Sequence, residues 1–114
     1  MEECIFCKIV KGEIPCTKVF EDESVLCFKD INPQAPFHVI IIPKKHISSL
    51  NELNEEDSSL ASHILFVCRD IACKFGIDKT GYRVVINCGE DGGQTVKHMH
   101  FHLLGGRNLT WPPG

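Results

Sequence analysis

Histidine recurs at every second position in His98-Met99-His100-Phe101-His102-Leu103-Leu104. Successive side chains of a strand point to opposite faces, so this spacing puts the imidazoles on one face and Met99, Phe101 and Leu103 on the other. Solvation of an exposed face accounts for one such histidine, or for two, but three in register point to chemistry. Imidazole can attack phosphorus, donate to an anionic oxygen and protonate a leaving group near neutral pH, and neighbours can divide those tasks. The competing chemistry is a three-histidine metal site. Along a regular strand the outer pair stands about 13 Å apart, whereas one zinc needs all its nitrogens within ~2.1 Å. At most an adjacent pair could share a metal without a sharp bend, while the row suits an extended phosphoryl group.

Gly89-Glu90-Asp91-Gly92-Gly93-Gln94-Thr95 leads directly into this row. Glycines let backbone N–H groups approach an anion, and Thr95 adds a hydroxyl donor. Such a loop is elsewhere an ordinary turn, and its value here comes from adjacency to the histidines. Cys4-Ile5-Phe6-Cys7 has the spacing of half a zinc site, with a reduced, metal-free thiol pair as the alternative. The chain has seven cysteines. Cys27, Cys68 and Cys73 fall within strand or helix patterns and read as small buried hydrophobes. An odd count without an export signal argues against a disulfide framework and places the chain in the reducing cytoplasm.

The elements that must carry these residues follow from period and punctuation. Cys4 to Lys11 reads as a short helix stopped by Gly12. Thr17 to Glu21 and Val25 to Asp30 read as a hairpin across the turn Asp22-Glu23-Ser24. Phe37 to Ile42 is nearly all apolar, the pattern of a central strand covered on both faces. From Glu55 to Phe75, the residues Leu60, Ile64, Val67, Cys68, Ile71 and Phe75 form one helical stripe. Asn54 with Asp57 makes a capping box, Gly76 closes the helix, and His63 lies off the stripe at the surface. Tyr82 to Asn87 and Lys97 to Leu104 complete the strands. The expected fold is a single α+β domain over residues 1–114, an antiparallel sheet of about five strands with one long and one short N-terminal helix.

Composition narrows the partners. The chain has 114 residues, 43% hydrophobic and 24% charged, with a formal net charge of −3. There is no Lys/Arg run to neutralise nucleic-acid phosphates and no stretch approaching the roughly 20 apolar residues of a membrane span. A small-molecule ligand is expected, and neither nucleic acid nor membrane.

The alternation of histidine with apolar residues resembles the defining motif of the histidine-triad family of nucleotide hydrolases and transferases. Asp30-Ile31-Asn32-Pro33-Gln34-Ala35-Pro36-Phe37-His38, Ile42-Pro43-Lys44-Lys45-His46, Gly92-Gly93-Gln94-Thr95, Gly105-Gly106-Arg107 and the ending Trp111-Pro112-Pro113-Gly114 are similar to its Hint branch. The resemblance implies hydrolysis of purine nucleoside 5′-phosphoramidates or related adenylates, AMP or GMP conjugates, through a covalent nucleotidyl-histidine. In that reading His100 is the nucleophile, held in the reactive tautomer by the carbonyl of His98. His102 serves the phosphoryl oxygens and the leaving group, and His38 extends the relay. Asp30 accepts the ribose hydroxyls, and Ile31, Phe6, Ile9, Ile14 and Phe28 form the base slot, though as residues they read equally as plain core. Asn87, Gly93, Gln94 and Thr95 surround the phosphate. No catalytic cofactor is implied.

Some bacterial members that look like this chain bind a structural zinc, and the residues that correspond here are Cys4, Cys7, His46 and His98. For that, His98 must leave the regular face of the row. A homodimer is also implied, with a sheet continuing across the interface and a C-terminal tail reaching the partner's site. Two departures leave substrate preference open: Lys97 stands where the branch often has an aromatic residue, and Thr95 replaces a serine. The alternative activities are dinucleoside polyphosphate hydrolysis, a nucleotide-binding regulatory module with vestigial activity, and a histidine-based metallohydrolase.

Overall fold

The computed structural model describes residues 3–114. Met1 and Glu2, part of the segment read as lacking an export signal, lie outside the described residues. In chain order the elements are α1 (Ile5–Val10), β1 (Lys18–Glu21), β2 (Val25–Lys29), β3 (Phe37–Pro43), two 3₁₀ turns (Leu50–Glu52 and Glu55–Asp57), α2 (Ser58–Lys74), β4 (Tyr82–Ile86) and β5 (Phe101–Gly105). All strand pairs are antiparallel, in the order β1-β2-β3-β5-β4. This is the α+β sheet with one long and one short helix that the sequence pattern predicts. No helix of the described residues is long and apolar enough to cross a membrane.

Two cores lie on opposite faces of the sheet. Val25, Cys27, Val39, Ile41, Phe101 and Leu103 point to α2 and meet Ile64, Val67, Cys68 and Ile71. Leu26, Phe28, Ile40 and Ile42 point the other way and pack on Phe6 and Ile9 of α1. β3 is therefore central and covered on both faces, the condition that lets a strand be apolar throughout. The α2 start has the expected capping box of Asn54 and Asp57, built on the second 3₁₀ turn. Gly76 at the other end has φ +79°, the left-handed conformation that closes helices.

Several local expectations are corrected. Cys73 is exposed, whereas Cys27 and Cys68 are buried. Five residues on from Cys68, at about 100° each, turn Cys73 well off the buried stripe. Phe75 is 46% exposed and leans on Phe37, with ring centroids 5.1 Å apart. His63 is half-buried rather than free at the surface, its Nε2 2.6 Å from Asp22 Oδ2 at the β1–β2 turn.

The largest correction concerns the histidine row, whose strand starts at Phe101 rather than Lys97. The reason lies in the partner strand. The bonds Lys44 N–H to Ser24 O (2.8 Å) and Asp30 N–H to His38 O (3.1 Å) direct the even-numbered residues of β3 toward β2. Odd-numbered Pro43 therefore faces β5, where the register that pairs Ile41 with Phe101 would set it against Met99. Proline has no N–H for that rung. The Met99 N–H turns instead to Ile47 O (2.6 Å), and the Pro43 carbonyl is taken by His98 Nε2 (2.8 Å).

Candidate active site

His102 is the one triad histidine on the regular strand; its strand neighbour is Ile40 and its diagonal neighbour across β3 is His38. Diagonal side chains of an antiparallel pair are within reach of long groups, and here His38 Nε2 stands 2.9 Å from His102 Nδ1. Asp30, one residue beyond β2, puts Oδ2 3.3 Å from His38 Nε2 and 4.0 Å from His102 Nδ1. Its other oxygen accepts the Asn32 N–H at 2.8 Å. The predicted parity of the row survives its irregular start, since Met99, Phe101 and Leu103 all enter the α2 core.

The hydrogen bonds assign the tautomers. His100 Nδ1 lies 2.7 Å from the His98 carbonyl, which only accepts, so the proton sits on Nδ1 and the Nε2 lone pair is free. His38 Nδ1 accepts the Gln34 N–H at 3.0 Å, so its proton sits on Nε2 and is donated toward His102 Nδ1 and Asp30. His102 then carries its own proton on Nε2. A free nucleophilic nitrogen and a neighbouring N–H donor thus stand side by side, with ring centroids 5.1 Å apart. Burial holds His38 below the usual histidine range against the opposing pull of Asp30. Burial, reinforced by His100 and His38, brings His102 down to about 4.

Asp30, His38 and His102 offer ligand atoms within 4.8 Å of one another, the span of a metal site. The Gln34 N–H argues against that use, because it leaves His38 Nε2 protonated and a protonated nitrogen cannot ligate. The trio is better described as a hydrogen-bond relay.

Beside it, a cavity of about 550 Å³ is lined by Phe6, Ile9, Ile14, Phe28, Asp30 and Ile31 among others. All the predicted slot residues meet there, with Ile31 fully exposed at the rim. Asn87 directly follows β4, whose last residue Ile86 pairs with Phe101, the residue after His100. The Gly89–Thr95 loop is braced by Gln94, whose amide takes the Gly89 N–H (3.0 Å) and donates to Ser48 O (2.7 Å) and Val96 O (3.0 Å). Gly93 has φ +81°, and a Cβ on Gly92 would collide with the Cys88 carbonyl, so the loop admits side chains at neither position. Thr95 is exposed and lines a separate cavity of about 400 Å³ with Cys4, His46 and Lys97.

A second cluster lies on the other side of His98. Cys4, Cys7, His46 and His98 bring their ligand atoms within 4.8 Å of one another. His98 Nδ1 is 3.4 Å from Cys4 Sγ, 3.6 Å from Cys7 Sγ and 3.2 Å from His46 Nδ1. His46 Nδ1 is 3.2 Å from Cys7 Sγ. Tetrahedral zinc separates two nitrogens by about 3.4 Å and a nitrogen from a sulfur by about 3.6 Å, so the quartet has the size of such a site. Its chemistry fits as well. The Pro43 carbonyl holds the proton of His98 on Nε2, leaving the Nδ1 lone pair aimed into the cluster, toward the His46 ring. The irregular segment before β5 is what lets His98 turn this way.

Sequence reasoning missed the groups that set the tautomers, the Gln34 N–H and the Pro43 carbonyl. Both are main-chain atoms, and no side-chain pattern signals them.

The family model described as "Scavenger mRNA decapping enzyme C-term binding" matches residues 3–109. An uncharacterized HIT-like protein of Synechococcus elongatus is 50% identical over 113 residues, 99% of this chain and 98% of that one. A 14 kDa zinc-binding protein of Zea mays is 51% identical over 112 residues, 96% of this chain and 87% of that one. Among solved structures, a HIT family hydrolase from Legionella pneumophila has a TM-score of 0.97 and 54% identity, covering 98% of this chain and 100% of that one.

Proposed function

This chain belongs to the histidine-triad (HIT) family, and on that premise we propose that it is a nucleotidyl hydrolase cleaving purine nucleoside 5′-phosphoramidates or related adenylates. The observation that carries the reading is the tautomer pattern, with a bare Nε2 on His100 beside a protonated Nε2 on His102. The base and ribose of an AMP or GMP conjugate enter the apolar cavity, with Asp30 at the ribose and the α-phosphate between the two nitrogens. His100 Nε2 forms a bond to phosphorus as the bond to the leaving group breaks. His102 lends its Nε2 proton to that group, and His38 shares the charge across their hydrogen bond. Water then attacks the nucleotidyl-histidine, returns a proton to His102 and restores His100.

Negative charge on the non-bridging oxygens is met by His102, with Gly93 and Asn87 shaping the loop and strand around the phosphate. Thr95, which lines the neighbouring cavity beside Cys4 and His46, joins His102 only if its hydroxyl turns toward the phosphate. Gln94 serves the site by holding the loop. Loss of one preorganised donor of this kind costs about 3 kcal/mol of barrier.

Cys4, Cys7, His46 and His98 would hold a structural zinc, whose chemistry there is to cross-link α1 to the sheet. Seven free thiols suit a reducing cytoplasm. The outer edge of β4, paired on one side only, supports a homodimer whose sheet runs across the interface.

Rapid-quench incubation with an adenosine phosphoramidate, read by intact-protein mass spectrometry, tests the mechanism. The wild type is expected to carry an AMP adduct that His100→Ala lacks, with turnover lost in the variant. Undiminished turnover by His100→Ala would sink the covalent route. Nucleotide binding without turnover in either protein would make the chain a binding module.

A further inference from the structure

The two clusters share more than proximity. His98 is fully buried and serves both: its Nδ1 faces Cys4, Cys7 and His46, and its carbonyl accepts the His100 Nδ1–H at 2.7 Å. That carbonyl belongs to the peptide unit whose N–H is Met99's, which is bonded to Ile47 O at 2.6 Å. Ile47 directly follows His46. The peptide plane that orients the nucleophile is thus gripped from one side by His98 and from the other by the residue next to a second member of the quartet. Phe6, between the two cysteines on α1, stands edge-on to the His100 ring at 5.0 Å and to the His98 ring at 5.9 Å.

We propose that Cys4, Cys7 and His46 are positioning residues for His100, acting through His98 and Phe6 when the quartet holds a metal ion. With a metal bound, the His46 and His98 lone pairs have a common partner. Without one, His46 Nδ1 carries a proton and donates to His98 Nδ1 at 3.2 Å, the cysteine sulfurs lose their common centre with the two rings, and both supports of the 98–99 peptide are free to shift. A misdirected His98 carbonyl no longer holds the His100 proton on Nδ1, and the Nε2 lone pair is lost to the other tautomer. A site that only staples the N-terminal segment would leave that tautomer unchanged. The proposal rests on His100 being the nucleophile.

The test compares zinc-loaded protein with the same protein stripped by chelator under reducing conditions, zinc content being measured by mass spectrometry of the metal. Nitrogen-15 NMR of the imidazoles reads the His100 tautomer without substrate. Adenosine phosphoramidate then gives the rate of adduct formation. The loaded protein should show a single Nδ1–H tautomer; the stripped protein should show a mixture and form adduct about tenfold more slowly, with zinc restoring both. His46→Ala should behave as the stripped protein and His46→Cys, which keeps four ligands, as the loaded one. If His46→Ala fails to fold, the stripped wild type and His46→Cys decide. An unchanged tautomer and adduct rate after zinc loss would overturn the proposal, as would failure to bind zinc at excess metal. A loaded protein with no turnover would defeat the hydrolase reading, while the tautomer measurement would still decide this one.

Discussion

His102 is the residue through which pH acts most directly on the site. Burial and its histidine neighbours lower its pKa from 6.5 to about 4, so the folded protein takes up that proton later than the unfolded chain does. Above pH 6.5 neither state is protonated there and the group contributes nothing. As pH falls toward 4 the unfolded chain gains a proton the folded one refuses, and stability drops. Because the side chain is partly solvated, about 1 kcal/mol is a suitable expectation. Unfolding free energies from urea titrations of wild type and His102→Gln, compared at pH 7.5 and 4.5, should differ by that amount in the variant's favour at the lower pH. An unchanged difference would mean that solvent screens His102 fully.

Among the elements, the start of α2 and the glycine loop are the places where one side chain decides. Asp57 is buried, pairs with Lys45 at 2.7 Å and accepts the Asn54 N–H at 3.1 Å. Those bonds hold its carboxyl below the usual range, so its contribution is present at neutral pH and is lost in acid. Replacing it with alanine removes half the capping box and should cost about 1–2 kcal/mol in urea denaturation at pH 7. Nucleotide turnover by the remaining folded protein should be unaffected. Gly92→Ala is expected to do the reverse. The added Cβ meets the Cys88 main chain in an exposed loop, so the global midpoint should barely move while kcat/KM falls, and a wild-type kcat/KM would free the loop from any part in phosphate binding. Both ends of α2 are readable in sequence because caps use side chains and glycine. The end of β3 is not, because its effect on β5 depends on which way Pro43 faces.

At the scale of the molecule, one sheet has two working sides: α2 closes one, and α1 with the two histidine clusters occupies the other. The edge strand β4 and the tail, held by Arg83 bonds to the Leu109 and Thr110 carbonyls at 3.0 and 2.9 Å, lie at the same border. Sedimentation equilibrium should therefore give twice the monomer mass, and a monomer at micromolar concentration would refute the shared sheet. The sequence by itself determined the histidine alternation, the apolar strand with both faces covered, the capped helix and the thiol pair, because side-chain period and type are local properties. It also determined that Met99, Phe101 and Leu103 share a core face, which held even where the strand did not. The resemblance named Cys4, Cys7, His46 and His98 as one set, and the tertiary structure decided how His98 leaves the row to join the other three. Period tells which face a side chain takes but not where pairing stops, and pairing stops here because a proline 55 residues before His98 has no N–H to offer Met99.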